Sequence, residues 1–194
     1  SMQSYLDANG TIKSDARSLW SSTVDGNDVT RGGAAEKIKA MVDAMEGVNN
    51  TLNLRHVYTY LHNAQGGPNA DLTHNNNLVW ENNAKLTPAH LGLTTEDEKK
   101  AVITAIRKTP MGAVIHSAPT VAYYNDTLSF VFVGAQDGFL RAINDATGQE
   151  EWAFVMPEHL GTIKDAHSTN PNAGNYYIDG HIGVRTVNGQ KILL

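Results

Sequence analysis

Between residues 34 and 46 the apolar positions Ala34, Ala35, Ile38, Met41, Val42 and Met45 recur at spacings of three and four. That rhythm puts them on one face and predicts a helix, with Gly47 as its stop. A second helix is predicted from about 95 to 108. Thr95 followed three residues later by Glu98 spells a capping box, Ala101, Val102, Ala105 and Ile106 supply an apolar face, and Pro110 ends the element. Arg107 and Lys108 fall where the negative end of the helix dipole favours cations. The run Leu54 to Leu61 is aromatic and β-branched and predicts a strand, followed by a long Asn/Gly loop over roughly 62–92. Residues 1–32 are polar, with turn signals at Asp7-Ala8-Asn9-Gly10, Asp25-Gly26-Asn27-Asp28 and Gly32-Gly33. Short strands or turns are expected there.

From residue 113 the period shortens. Four strands are predicted at Ala118–Tyr124, Leu128–Gly134, Phe139–Asn144 and Glu150–Val155. The turns between them, Asn125-Asp126, Gln136-Asp137-Gly138 and Asp145-Ala146-Thr147-Gly148, carry residues that tolerate positive φ or bond to their own backbone. Four antiparallel strands in about 40 residues is the size of one propeller blade. The stretch from His181 to Leu194 repeats the strand, Asn-led turn, strand shape of Pro119 to Phe132. The expectation is therefore a mainly β chain with two or three helices, α+β overall, built on one antiparallel four-stranded blade of an incomplete, modified β-propeller. A mixed segment over 1–111 leads into blade material over 112–194. A second blade that stops half-formed leaves an unpaired edge. The reading favours a longer parent protein, and an open edge invites an edge-strand dimer of the fragment.

Composition narrows the function classes. Hydrophobic residues make up 41% and charged residues 18%, enough to bury a core. The net charge is −5 and no basic run appears, which argues against nucleic acid and against an anionic membrane surface. No apolar run approaches the ~20 residues of a membrane helix. Cysteine is absent, so disulfides and thiol chemistry are excluded. Ser1-Met2-Gln3 has the look of a cleaved-tag remnant.

Candidate chemistry is sparse. Asp7, Asn9 and Asp15, with Thr11 between, have oxygen-ligand spacing for calcium. Ile12 and Ser18 stand where an EF-hand needs glycine and a bidentate acid, so an Asx-rich hairpin turn is the preferred reading. Asp25, Asn27 and Asp28 are weighed the same way. His159, His167 and His181 lie close in sequence without a zinc pattern. His116 and Ser117 are adjacent, so in a strand they face opposite ways and make a poor base–nucleophile pair. Gly32-Gly33 before a helix could cradle an anion on backbone N–H groups, with Arg31 as the nearby cation. Gly134, Asp137, Gly138, Thr147, Gly148 and Trp152 are read as structural: tight corners and one large apolar anchor. No catalytic residue is assigned.

The run from Val131 to Phe154, VFVGAQDGFLRAINDATGQEEWAF, resembles the blade signature of PilY-type type IV pilus tip adhesins. In that family a hydrophobic strand leads to Gly-Ala-Asn-Asp-Gly, a Thr-Gly turn and Glu-Leu-Trp-Ala. Gly112 to Pro119 resembles the family's lead-in to that blade, and Pro157 and Tyr176-Tyr177-Ile178-Asp179-Gly180 stand in its order downstream. Trp20, Gly32 to Ala35 and Arg55 to Tyr60 resemble its preceding segments. Gln136, Arg141 and Ile143 depart from it, where the family usually has Asn, often His and often Phe. None of these removes a turn glycine.

The resemblance implies a non-enzymatic protein of pilus biogenesis and adhesion. It implies export through the periplasm and outer membrane to the cell surface or pilus tip, with pilin or minor pilins and a host or surface ligand as partners. The family's calcium loop lies in a later blade, so calcium is expected in the parent protein and assigned to no residue here. The segment Asp137 to Trp152 also resembles the repeat of pyrroloquinoline quinone dehydrogenases. That repeat recurs blade after blade, whereas here it occurs once after two helices. A non-catalytic outer-membrane assembly scaffold is the third reading, and it too should repeat the motif.

Overall fold

The computed structural model describes residues 5–28, 31–48, 52–61, 71–166, 178 and 180–194. The chain is α+β. Among the described residues it forms helices α1 (Gly33–Asp43), α2 (Glu96–Arg107) and α3 (Ile163–Ala166), and strands β1 (Val57–Tyr58), β2 (Thr120–Asn125), β3 (Leu128–Gly134), β4 (Phe139–Asn144), β5 (Glu150–Val155), β6 (Val184–Val187) and β7 (Gln190–Leu193). Strands β2 to β5 form an antiparallel meander, as the turn signals require. The expected strand over 54–61 contracts to β1, which pairs in parallel with β5 and makes the sheet five-stranded and mixed, in the order β1-β5-β4-β3-β2. β1 is short because the chain beside it turns to the 77–79 segment: the Thr59 N–H donates to the Asn77 carbonyl and the Val79 N–H to the Val57 carbonyl. β6 and β7 form a separate hairpin.

Alternation along the strands gives the central sheet two apolar faces. On one, Val133 and Ile143 pack against Ile38 of α1 with Trp20, Met41 and Val42 around them. The same face continues through Phe139, Ala153 and Val155 to Ile103 and Ile106 of α2 and to Val57, Leu86, Leu91 and Ile163. On the other face Ala122, Phe132 and Ala142 meet Phe130, Trp152, Ile182, Val184 and Leu193, so the β6–β7 hairpin lies across the sheet. The cores thus draw residues from both sides of residue 111.

Helix α1 buries Ile38 fully and directs Ala34, Met41 and Val42 to the sheet, matching its periodicity. Helix α2 starts at the expected box, with the Glu98 N–H donating to Thr95 Oγ1 at 3.2 Å and the Thr95 N–H to Glu98 Oε2 at 2.9 Å. Its buried face keeps Ile106 and the partly buried Val102 of the expected one and departs at the alanines. Ala101 and Ala105 are exposed, while Lys99, Ile103, Ile106 and Arg107 are buried. The two long cationic side chains tolerate burial because their heads reach acceptors: Lys99 Nζ lies 2.6 Å from Glu96 and 3.3 Å from the Asn83 carbonyl.

The expected loop over 62–92 is described from residue 71, and it contributes core. Leu78, Val79, Leu86 and Leu91 are buried. Asn77 and Asn83 are buried with them and act as internal main-chain substitutes. Asn77 Oδ1 accepts from the Leu61 N–H, and Asn83 Nδ2 donates to the carbonyls of Asn76 and Leu78.

The β4–β5 corner joins this sheet to the N-terminal segment. Gly148 has φ +74°, and a Cβ there would lie 2.5 Å from the Trp20 side chain. The Trp20 indole N–H donates to the Asp145 carbonyl at 2.7 Å. Gly148→Ala is therefore expected to lower unfolding free energy by about 1–3 kcal/mol through backbone strain and displacement of Trp20. Chemical denaturation measures this; a change below about 0.5 kcal/mol, the range of a neutral surface substitution, contradicts the account of this corner.

Candidate functional site

The most distinctive chemistry lies inside the sheet, where four charged side chains from three chain regions meet. Arg141 projects from β4 into the core face, with its side chain 0% exposed. Its guanidinium binds both oxygens of Asp137, in the β3–β4 turn, as a two-pronged pair. Its Nε donates to Glu150 Oε2 at 2.9 Å. Glu150 is bidentate in turn to Arg55, from Nε at 2.8 Å and Nη2 at 3.1 Å. Asp137 also accepts the N–H groups of Gly112 and Phe139, at 2.7 and 3.3 Å. Burial opposes its ionisation, but Arg141 and these N–H donors outweigh that and hold the carboxyl below its ordinary value. Burial likewise disfavours the Arg141 cation, and Asp137 with Glu150 more than offsets it.

The arginines also bond main chain. Arg55 Nη1 donates to the carbonyls of Arg107 and Thr109, at 2.7 and 2.8 Å, so it caps the C-terminal end of α2. Arg107 reciprocates by donating from Nη2 to the Arg55 carbonyl at 2.8 Å, and from Nη1 to the Val79 carbonyl at 3.2 Å. It therefore lies in the last turn of α2, as expected, with its side chain turned into the core. Burial lowers its affinity for a proton, with Glu81 acting in the opposite sense. The Phe139 ring lies under two of these cations, 5.3 Å from Arg55 and 4.9 Å from Arg141.

A β-bulge aims Glu150 inward. Ala142 pairs with Trp152, yet Ile143 pairs with Glu150, which leaves Glu151 as the extra residue. Without that insertion Glu151 would occupy the inward position. Glu151 is exposed instead and accepts from Asn144 Nδ2.

The residues singled out from sequence fall around this cluster. Asp137 is part of it, beyond its turn role. Gly138 has φ +86°. Gly134 is tight because of a neighbour: a Cβ there would lie 2.2 Å from Ile178 Cγ2, while its N–H donates to Ser117 Oγ. Thr147 and Gly148 close the β4–β5 corner, where Thr147 Oγ1 accepts from the Gln149 N–H. Trp152 is half-buried on the opposite face, its ring 5.8 Å from Phe132. Ser117 is buried and His116 exposed, so the two do not converge.

Asp7 Oδ1 accepts from the N–H groups of Asn9 and Thr11, with Leu6 bridging Ile12. Asp7 and Asn9 thus belong to an exposed hairpin of the Asx type, and Asp15 lies in the next turn, which the Ala16 N–H closes onto the Lys13 carbonyl. No group of three or more His or acidic side chains suited to a metal occurs among the described residues. His167, Tyr176, Tyr177 and Asp179 lie outside the described residues. At Gly32-Gly33 the Gly33 N–H donates to Ser21 Oγ, and the Asp25 carboxylate lies where a Gly32 side chain would be. An anion would meet that carboxylate. Asp25 itself accepts from the hydroxyl and N–H of Ser18 and from Ser21, which lowers it from 3.8 to about 2. A cleft of about 790 Å³ opens beside it, lined in part by Arg31, Ala35, Met111 and Val114.

Chemically, the buried cluster is saturated. Each carboxylate is engaged by arginine, and the sheet and α2 close over them. It supplies a fixed tie between β1, β4, β5 and α2. No family model, no curated protein and no solved structure matches this chain.

Arg141→Met removes a partner from both Asp137 and Glu150. It is expected to cost about 3–5 kcal/mol, whereas Lys39→Met, which breaks an exposed pair with Asp43, should cost at most about 1 kcal/mol. Equal losses in urea denaturation contradict the tie. A second expectation concerns acid. Asp25 is held at about 2, and Glu98 is lowered from 4.5 to about 2 by the N–H and hydroxyl groups of Thr95 and Thr94. Lowered carboxyls stabilise when ionised. Their contribution is complete above about pH 4.5, declines below it and vanishes as pH falls through about 2. Carboxyl NMR titration checks this, and midpoints near 4 at both residues contradict it.

Proposed function

We propose that this chain is a non-enzymatic part of a cell-surface protein of the type IV pilus system, in the manner of the PilY-type adhesins it resembles. It is one propeller blade, β2 to β5, with the opening hairpin of the next blade stacked on it. One observation carries the reading. The residues that bear the resemblance are the ones that shape the meander: Gly134, Gly138 and Gly148 at its corners, Asp137 inside it, and Trp152 under the β6–β7 hairpin. A tryptophan between a blade and the next hairpin is the wedge such a packing needs.

The departure at Arg141 is consistent with this reading. The side chain that replaces the family's frequent histidine is used for architecture, through Asp137 and Glu150. In the proposed role the sheet is a rigid platform and its loops recognise pilin or minor pilins and a surface or host ligand. The location is the cell surface or pilus tip, reached through the periplasm and outer membrane. The part acts by binding, and calcium is assigned to none of its residues.

The test is genetic. In the organism that encodes the chain, deleting the gene should strip most sheared pilin from the cell surface and reduce attachment, while total pilin stays constant and complementation restores both. Normal piliation and attachment in the deletion strain overturns the proposal. Titrating the purified chain with pyrroloquinoline quinone and calcium should leave the cofactor spectrum unchanged; a saturable spectral shift favours the quinoprotein reading instead.

A further inference from the structure

Strand β2 ends the central sheet, with β3 as its main-chain partner. Among the described residues, no main-chain group of Thr120–Asn125 bonds to anything on its outer side. The strand also lacks the features that keep open edges apart: it carries no charge and no proline, and its register shift comes only at the far end, between Tyr123 and Asn125. Val121 is 40% exposed, Tyr123 67% and Tyr124 46%.

We infer that this edge is a self-association surface whose occupant is the β2 strand of a second copy of the chain, paired antiparallel about a two-fold axis at Ala122. Parity limits the axis to a position level with one residue, and side-chain pairing places it at Ala122. Residues opposite one another in an antiparallel pair share a face, so a two-fold axis perpendicular to the sheet runs between the strands level with a residue, not level with the midpoint of two. With the axis at Ala122, Val121 lies opposite Tyr123 of the second copy, a pair formed twice, while Thr120, whose hydroxyl donates to the Ile182 carbonyl, and Tyr124, in the register shift, fall at its two ends. β-branched and aromatic side chains opposite one another are favourable cross-strand pairs. Charge supports the same occupant. The chain carries −5 overall, so two copies repel on average. The β2 edge is neutral along its length, and the nearest acid, Asp126, falls opposite Ala118 of the second copy rather than another acid. The contact is one strand wide and smaller than a standard interface, so it gives a weak, concentration-dependent dimer. This inference does not rest on the pilus assignment.

Sedimentation equilibrium of the full chain should show its mass rising above 21.0 kDa toward the dimer as concentration approaches the millimolar range. Tyr123→Lys should keep the chain monomeric at an unchanged unfolding midpoint, because the side chain is mostly exposed. Register is tested by cross-linking, since the chain has no cysteine of its own. Chains carrying Val121→Cys, mixed with chains carrying Tyr123→Cys under mild oxidation, should cross-link faster than either alone. A constant monomer mass, a Tyr123→Lys chain that still dimerises, or no excess of mixed cross-link each overturns the proposal.

Discussion

Glu150 holds two arginines that arrive from distant parts of the chain, Arg55 and Arg141, and the arrangement of the core follows from that contact. A carboxylate removed from water is costly unless its oxygens are matched by donors of fixed geometry. Arg55 and Arg141 provide that match, and each is then committed to a position. Arg55 must lie at the end of α2, where its free nitrogen takes the helix's terminal carbonyls. Arg141 must turn its remaining nitrogens to Asp137, which draws the β3–β4 corner onto the Gly112 N–H. One inward acid thus sets the relative places of β1, β4, the hairpin corner and α2. Apolar contacts around Phe139, Ile103 and Ile106 supply the bulk of the burial, but they are non-directional and would tolerate other packings. The ion chain selects among them.

Much of the scaffold is legible from residue pattern. The meander strands and their turns follow from alternation and from Asp-Gly and Thr-Gly signals, and both longer helices follow from spacing and a capping box. What escapes is where polar groups go inside. Asn77 and Asn83 sit in a stretch that looks like solvent-exposed loop, yet their amides replace missing main-chain partners. Lys99 and Arg107 look like the wet side of α2, while Ala101 and Ala105 look like its dry side; the order reverses because long cationic stems bury well when their heads find carbonyls. Glu150 and Glu151 are identical by type, and only the bulge decides which one turns inward. A one-dimensional pattern scores residue identity, whereas these placements depend on acceptors contributed by segments far away in the chain.

The same distinction bears on function. The motif alone reads the corner glycines and Trp152 as structural, and the proposed adhesin role rests on their forming a blade-like sheet with a second hairpin across its face. Arg55 and Glu150 carry no signal of their own, since neither stands in a pattern with a local mechanism, and Arg107 signals only a helix end. In the proposed role they stiffen the platform from within and leave recognition to its loops and open edges.

Native-state hydrogen exchange tests the central claim, that the ionic chain joins α2 and the sheet into one cooperative unit. The amides of Ile103 to Arg107 should open with the same free energy and denaturant dependence as those of Leu140 to Ile143, because releasing the helix end requires breaking Arg55 from the Arg107 and Thr109 carbonyls or from Glu150. If the α2 amides open far below the sheet, with a much smaller dependence on denaturant, the helix is docked only by apolar contact and the account of the core fails.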